Sequence, residues 1–159
     1  MLRLKTAPRS DPDAEVPDAS DIPLGRRKRG AFERFLPRAV DMLTDRVRVL
    51  RVVKQAYEKL WKNEGGMARA KTDLALLASL VQAWARGDYR DVPWRSLVYA
   101  VGALLYFISP IDLIPDFIVG LGFVDDVAVA IAVVKAIRKD LDRYAQWERK
   151  QVGPARAKR

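Results

Sequence analysis

The chain has no cysteine and no histidine. Without a thiol or an imidazole there is no disulfide, no thiolate nucleophile, no histidine general base and no zinc site built from nitrogen or sulfur ligands. The polar chemistry that is left is carboxylate, hydroxyl, amine and guanidinium, so a bound metal would be a hard cation such as calcium or magnesium. Phosphate-binding loops are missing as well. Gly120-Leu121-Gly122 is followed by Asp125 where a dinucleotide site needs its third glycine, and no Gly-Lys-Ser/Thr occurs. The first residues contain no apolar run of signal-peptide length, so the mature chain is expected to begin near Met1 with no cleaved secretory signal.

One further absence is local. From Ser96 to Val134 the chain runs 39 residues without a lysine or arginine, and its only formal charges there are Asp112, Asp116, Asp125 and Asp126. The window carries −4 and the rest of the chain +13, within a net charge of +9. An apolar, acidic centre between basic flanks is the pattern of a membrane-contacting hairpin rather than of an enzyme, and no catalytic constellation is recognisable. A noncatalytic protein is expected.

What is present points to an all-α fold. Half of the 159 residues are hydrophobic, enough for one core. Residues 1–30 read as a disordered tail, first acidic and proline-punctuated, then basic at Arg26-Arg27-Lys28-Arg29. Residues 31–86 read as a pair of amphipathic helices. In the first, apolar residues recur at helical spacing from Phe32 to Trp61, with Pro37 interrupting early, and Arg34, Arg38, Arg48, Arg51, Lys54, Lys59 and Lys62 lie opposite. The second follows Met67, Ala70, Leu74, Leu77, Val81 and Trp84 and stops at Gly87. Residues 87–148 form the apolar part, and 149–159 a basic tail. About four helices in a small bundle are expected, the third and fourth making an apolar hairpin joined by a turn of prolines and aspartates.

The third helix begins at Trp94. Leu97 to Ile108 contains no polar side chain beyond the hydroxyls of Tyr99 and Tyr106, so this helix must be surrounded by protein or by lipid. In the segment that follows, Ser109 is suited to a helix N-cap, Pro110 to the first helical position and Asp112 to a capping box, and Pro115 restarts the chain. Asp125 is placed to cap a last helix, roughly 126–148.

The stretch from Tyr106 to Asp126, YFISPIDLIPDFIVGLGFVDD, resembles the signature of the YkvA-like family of DUF1232 domains. The likeness covers roughly Gly87 to Ile137, about a third of the chain, and Ser109, Pro110, Asp112, Pro115, Asp116, Gly122, Asp125 and Asp126 each fall on the family pattern. Where the family usually has a further proline after Asp-Phe-Ile, this chain has Val119-Gly120. The resemblance implies a helical, often membrane-assigned protein without an established activity. The same domain accompanies RING-type ubiquitin ligases in eukaryotes, but the RING cysteines are missing here.

Two arrangements compete for the apolar part. Val92 to Ile111 supplies the roughly 20 residues that a spanning helix needs, with Trp94 and Arg95 at one end. In Phe117 to Val134, Asp125 and Asp126 would each cost about 2.5–3.5 kcal/mol, which apolar neighbours at about 0.3–0.6 kcal/mol apiece roughly offset. A transmembrane or re-entrant hairpin with both termini cytoplasmic satisfies the positive-inside rule; a cytoplasmic soluble bundle is the alternative. For the aspartates, capping of helix starts is the plainest role. A calcium or magnesium site built from Asp112, Asp116, Asp125 and Asp126 is the second reading, and an acid–base pair the third. No organic cofactor is expected. Membrane lipids are the expected partner, a protein partner or self-association stays open, a small-molecule substrate is unknown, and nucleic acid is a minor rival because the cations are scattered and carry no reading motif.

Overall fold

The computed structural model describes residues 16–62, 68–108 and 119–157, with side chains at 16–62, 71–108 and 128–151. The described residues form seven α-helices and no strand: α1 (Arg26–Glu33), α2 (Leu36–Met42), α3 (Arg46–Lys62), α4 (Ala68–Ala85), α5 (Trp94–Ile108), α6 (Val119–Ala136) and α7 (Arg138–Ala157). The all-α small bundle stands. Four long units, α3, α4, α5 and α6 with α7, correspond to the four expected helices; α2 and the end of α1 are the early part of the first of these, split off, and the rest of α1 lies in the expected tail.

Helix breaks follow from backbone chemistry. Pro37, at the start of α2, has no N–H to donate into the preceding turn, so the stripe from Phe32 to Trp61 is divided rather than continuous. A second break falls at Asp45, whose carboxylate accepts from the backbone N–H groups of Val47 (3.0 Å) and Arg48 (3.4 Å) and so caps α3. At the end of α4, Gly87 adopts φ +82°. Its N–H reaches Trp84 O at 3.0 Å and that of Asp88 reaches Ala83 O at 2.9 Å, the paired bonds of a Schellman ending that glycine makes without a Cβ penalty. α6 and α7 are interrupted only at Ile137. Across it Ile137 N–H bonds Val133 O and Leu141 N–H bonds Ile137 O, both at 3.0 Å.

The centre of the bundle is α5. It packs against α1, α2, α3, α4 and α6, and its residues are buried without a gap from Ser96 to Leu105 and again at Phe107. The helix that had to be enclosed by protein or lipid is enclosed by protein. Its closest approach is at Gly102, where an added Cβ would lie 3.1 Å from Leu36 Cδ2 and 3.2 Å from Phe32 Cε2. α3 and α4 lie side by side, α6 packs on both α4 and α5, and α7 returns along α4. The two helices expected to form the apolar hairpin, α5 and α6, pack together, and the proline and aspartate turn expected between them lies outside the described residues.

Several boundaries differ from the sequence reading. The tail expected over 1–30 is anchored on the bundle within its described part: Ala19 and Ile22 are fully buried, and α1 begins at the basic cluster. Tyr99 OH donates to Asp18 O, the Arg95 guanidinium pairs with Asp21, and Arg29 Nη2 donates to Ile22 O at 3.3 Å. The segment thus docks two apolar side chains on the core and ties its backbone to α5. The buried face of α3 is centred on Val49, Val52, Val53, Ala56 and Leu60, which leaves Val47 and Trp61 exposed, Trp61 at 76%. Leu60 falls on the stripe centred on Val49, Val53 and Ala56, whereas Trp61, about 100° further round the helix, falls outside it. The last helix starts at Val119, not after Asp125, and helix continues through the expected basic tail to Ala157.

Candidate functional site

The family-signature residues divide into two groups. Ser109, Pro110, Asp112, Pro115 and Asp116 lie outside the described residues. Gly122, Asp125 and Asp126 lie on the backbone of α6, so Asp125 occupies a helix interior rather than the capping position expected of it. Among the described residues no group of three or more carboxylates could hold a metal ion.

The structure does fix the end of α5 that leads into the signature. Lys59, on α3, donates from Nζ to Phe107 O at 2.5 Å, and the same ammonium sits 4.7 Å from the centre of the Phe107 ring. A cation hydrogen-bonded to a carbonyl toward the C-terminal end of a helix is favoured by the direction of the helix dipole. Sequence reading put Lys59 on the solvated face; its long stem instead carries the charge over the shoulder of the bundle. At the other end of α5, the buried hydroxyl of Ser96 donates to Asp140 Oδ2 at 2.5 Å, joining α5 to α7.

A second polar cluster joins α4 to α7. Ser79 Oγ lies 2.5 Å from Tyr144 OH and donates to Glu148 Oε2 at 2.7 Å, while Tyr144 OH donates to the same carboxylate oxygen at 2.6 Å. Burial pushes the Tyr144 hydroxyl up, and its hydrogen bond to Glu148 adds to the shift. Tyr57, beside them, is raised by burial and by the Glu148 charge. These phenols stay protonated at neutral pH and the carboxylate is already occupied by donors. The cluster is a clasp, with neither a free base nor an activated hydroxyl. Tyr89, Tyr144 and Trp147 pack around it with ring centres 5.0–5.8 Å apart.

Outside this clasp a cleft of about 660 Å³ runs between α3 and α4. Leu50, Val53, Tyr57 and Trp61 provide its apolar surface, and Lys54, Lys62 and Arg86 stand around it with Glu58 and Gln82. A smaller cleft of about 350 Å³, between the α4–α5 turn and α7, is lined by charges of both signs. Two of these, Arg143 and Asp91, pair at 3.6 Å.

Among the described residues no helix is long and apolar enough to cross a membrane. The described residues of α5, Trp94–Ile108, measure about 22 Å at about 1.5 Å per residue, against a hydrocarbon core of about 30 Å. Of the expected span from Val92 to Ile111, Val92 and Pro93 precede the helix and residues 109–111 lie outside the described residues.

Residues 96–132 match the family described as protein of unknown function, DUF1232. The matched segment begins with the cation-free window and ends two residues before it, taking in α5 from Ser96 and α6 to Ala132. The chain is also 40% identical over 68 residues to a protein of Bacillus subtilis (strain 168) named "Uncharacterized membrane protein YkvA". That alignment takes in 43% of this chain and 64% of the relative, so the chain spans a little under two thirds of the relative's length. No solved structure matches. The segment that includes the core helix α5 and its partner α6 is similar to the YkvA-like DUF1232 family.

Proposed function

We propose that this is a noncatalytic, membrane-associated helical protein that sits on the membrane surface as a folded bundle, with α3 as its contact. The observation that carries this reading is the outer face of α3. Trp61 and Val47 are exposed at 76% and 66% on the same helix as exposed Arg51, Lys54 and Lys62. An apolar anchor with cations around it suits the headgroup region, where an indole sits at the interface and each basic residue adds about 1 kcal/mol near an anionic surface. The name of the Bacillus relative supports membrane association in general. α5 contributes from inside, as the core that holds α3 in place.

The second reading is the transmembrane or re-entrant hairpin, favoured by the coincidence of the cation-free window with α5 and most of α6. In that arrangement both termini lie on the cytoplasmic side and α5 exchanges its protein neighbours for lipid. Flotation of membranes from cells expressing the chain tests association: the protein is expected in the floated fraction, and quantitative recovery among soluble proteins sinks both readings. A carbonate wash then separates them, because a surface-bound bundle is released and an inserted hairpin is retained.

A further inference from the structure

We infer that the cleft between α3 and α4 is a binding site for an anionic phospholipid, with the headgroup held among Lys54, Lys62 and Arg86 and an acyl chain against Val53, Tyr57 and Trp61. The inference rests on the surface-bound reading and names the lipid class that α3 selects. Charge and shape carry it together. The cleft is open on one side, and its volume of about 660 Å³ falls within the roughly 300–1,000 Å³ range of ligand sites. Its surface is mostly apolar along α3, while three cations border it and, among the described residues, Glu58 is the one acid in its lining.

None of the three cations is engaged in an ion pair among the described residues. Arg143 in the smaller cleft is, through Asp91. Unpaired cations beside an apolar trough favour a ligand that is anionic at one end and apolar along its length. Trp61, the exposed tryptophan among the described residues, stands beside Lys62 at the C-terminal end of α3, where a cation-bordered apolar trough meets solvent. Zwitterionic lipid offers the chain without the net charge, and free phosphate offers the charge without the chain. Only the anionic phospholipid satisfies both halves of the site.

The test is co-sedimentation of the full chain with vesicles of phosphatidylcholine alone, or with about a third of the lipid replaced by phosphatidylglycerol. Binding is expected to the second and to be at least tenfold weaker to the first. The combined variant Lys54→Glu, Lys62→Glu and Arg86→Glu is expected to bind about a hundredfold more weakly, since three contributions of this kind multiply. Lys135→Glu, Lys139→Glu and Arg149→Glu, which make the same change in net charge at exposed positions of α6 and α7, are expected to cost less than threefold. Trp61→Ser, which leaves the charge unaltered, is expected to lose about tenfold. All seven positions are exposed, and thermal melting checks that each variant remains folded. Equal losses for the two triple variants, or equal binding to both vesicle types, overturn the cleft as a lipid site. If the chain floats with cell membranes yet binds neither vesicle, the cleft proposal fails while membrane association stands; if it does neither, both fail.

Discussion

At the scale of single residues, the bundle depends on side chains that satisfy helix ends. Asp45 accepts from two backbone N–H groups that α3 cannot satisfy internally. Asp45→Ala is expected to lower stability by about 1 kcal/mol, read as a fall in the thermal midpoint. The tyrosines add a dependence on pH. Tyr144 is raised above the ordinary tyrosine value by burial and by its bond to Glu148, and Tyr57 and Tyr89 are raised chiefly by burial. Each folded phenol therefore holds its proton at a pH where the unfolded one has released it. The stability they contribute is complete below about pH 10 and is lost as pH rises through the folded values. Denaturant midpoints measured upward from pH 9 should fall above about pH 10, and Tyr144→Phe should make that fall shallower.

At the scale of elements, the position of α5 decides most of the architecture. Gly102 lets α5 come within van der Waals range of α1 and α2, against Phe32 and Leu36, which are themselves fully buried. Gly102→Val is expected to cost at least about 2 kcal/mol, measured by chemical denaturation, because the added methyl groups must displace a ring and a leucine together. Much of this level was legible in the sequence. The uniformly apolar run from Leu97 to Ile108 indicated an enclosed helix, and the stop at Gly87 and the break at Pro37 were chemical signals that local structure obeyed. Other features depended on tertiary contact and left no local trace. Lys59 lies at helical spacing with cations that face solvent, and only the packing of α3 across the end of α5 turns it toward Phe107 O. Likewise, Ala19 and Ile22 sit in a composition that cannot fold alone, and they are ordered because Tyr99 and Arg95 offer partners on a helix that is already formed. The cap at Asp45 was readable as an acid immediately before a helix. It was obscured by the long apolar stripe that runs through it, of which Val47 and Trp61 proved to be outward members.

At the scale of the whole molecule, the apolar helix α5 lies inside and the exposed cations of α3 lie outside. Most of the cation-free window falls in α5 and α6, and α5 is sealed by α1, α2, α3, α4 and α6; the exposed cations of α3 lie on the opposite side of that helix from its buried valines. This partition supports the proposed surface-bound bundle, in which the cations that would meet an anionic membrane are already outside and no core helix has to leave its neighbours. Interactions between exposed charges are screened within about 10 Å at 0.1 M salt, so binding of this kind weakens as salt rises, while insertion through apolar area does not. Membrane flotation of the full chain, run at low and at high salt, is the most direct measurement. The expected result is recovery with the membranes at low salt and release into the soluble fraction at high salt. Recovery in the soluble fraction at low salt contradicts membrane association, and retention on the membranes at high salt contradicts binding through the cationic face of α3.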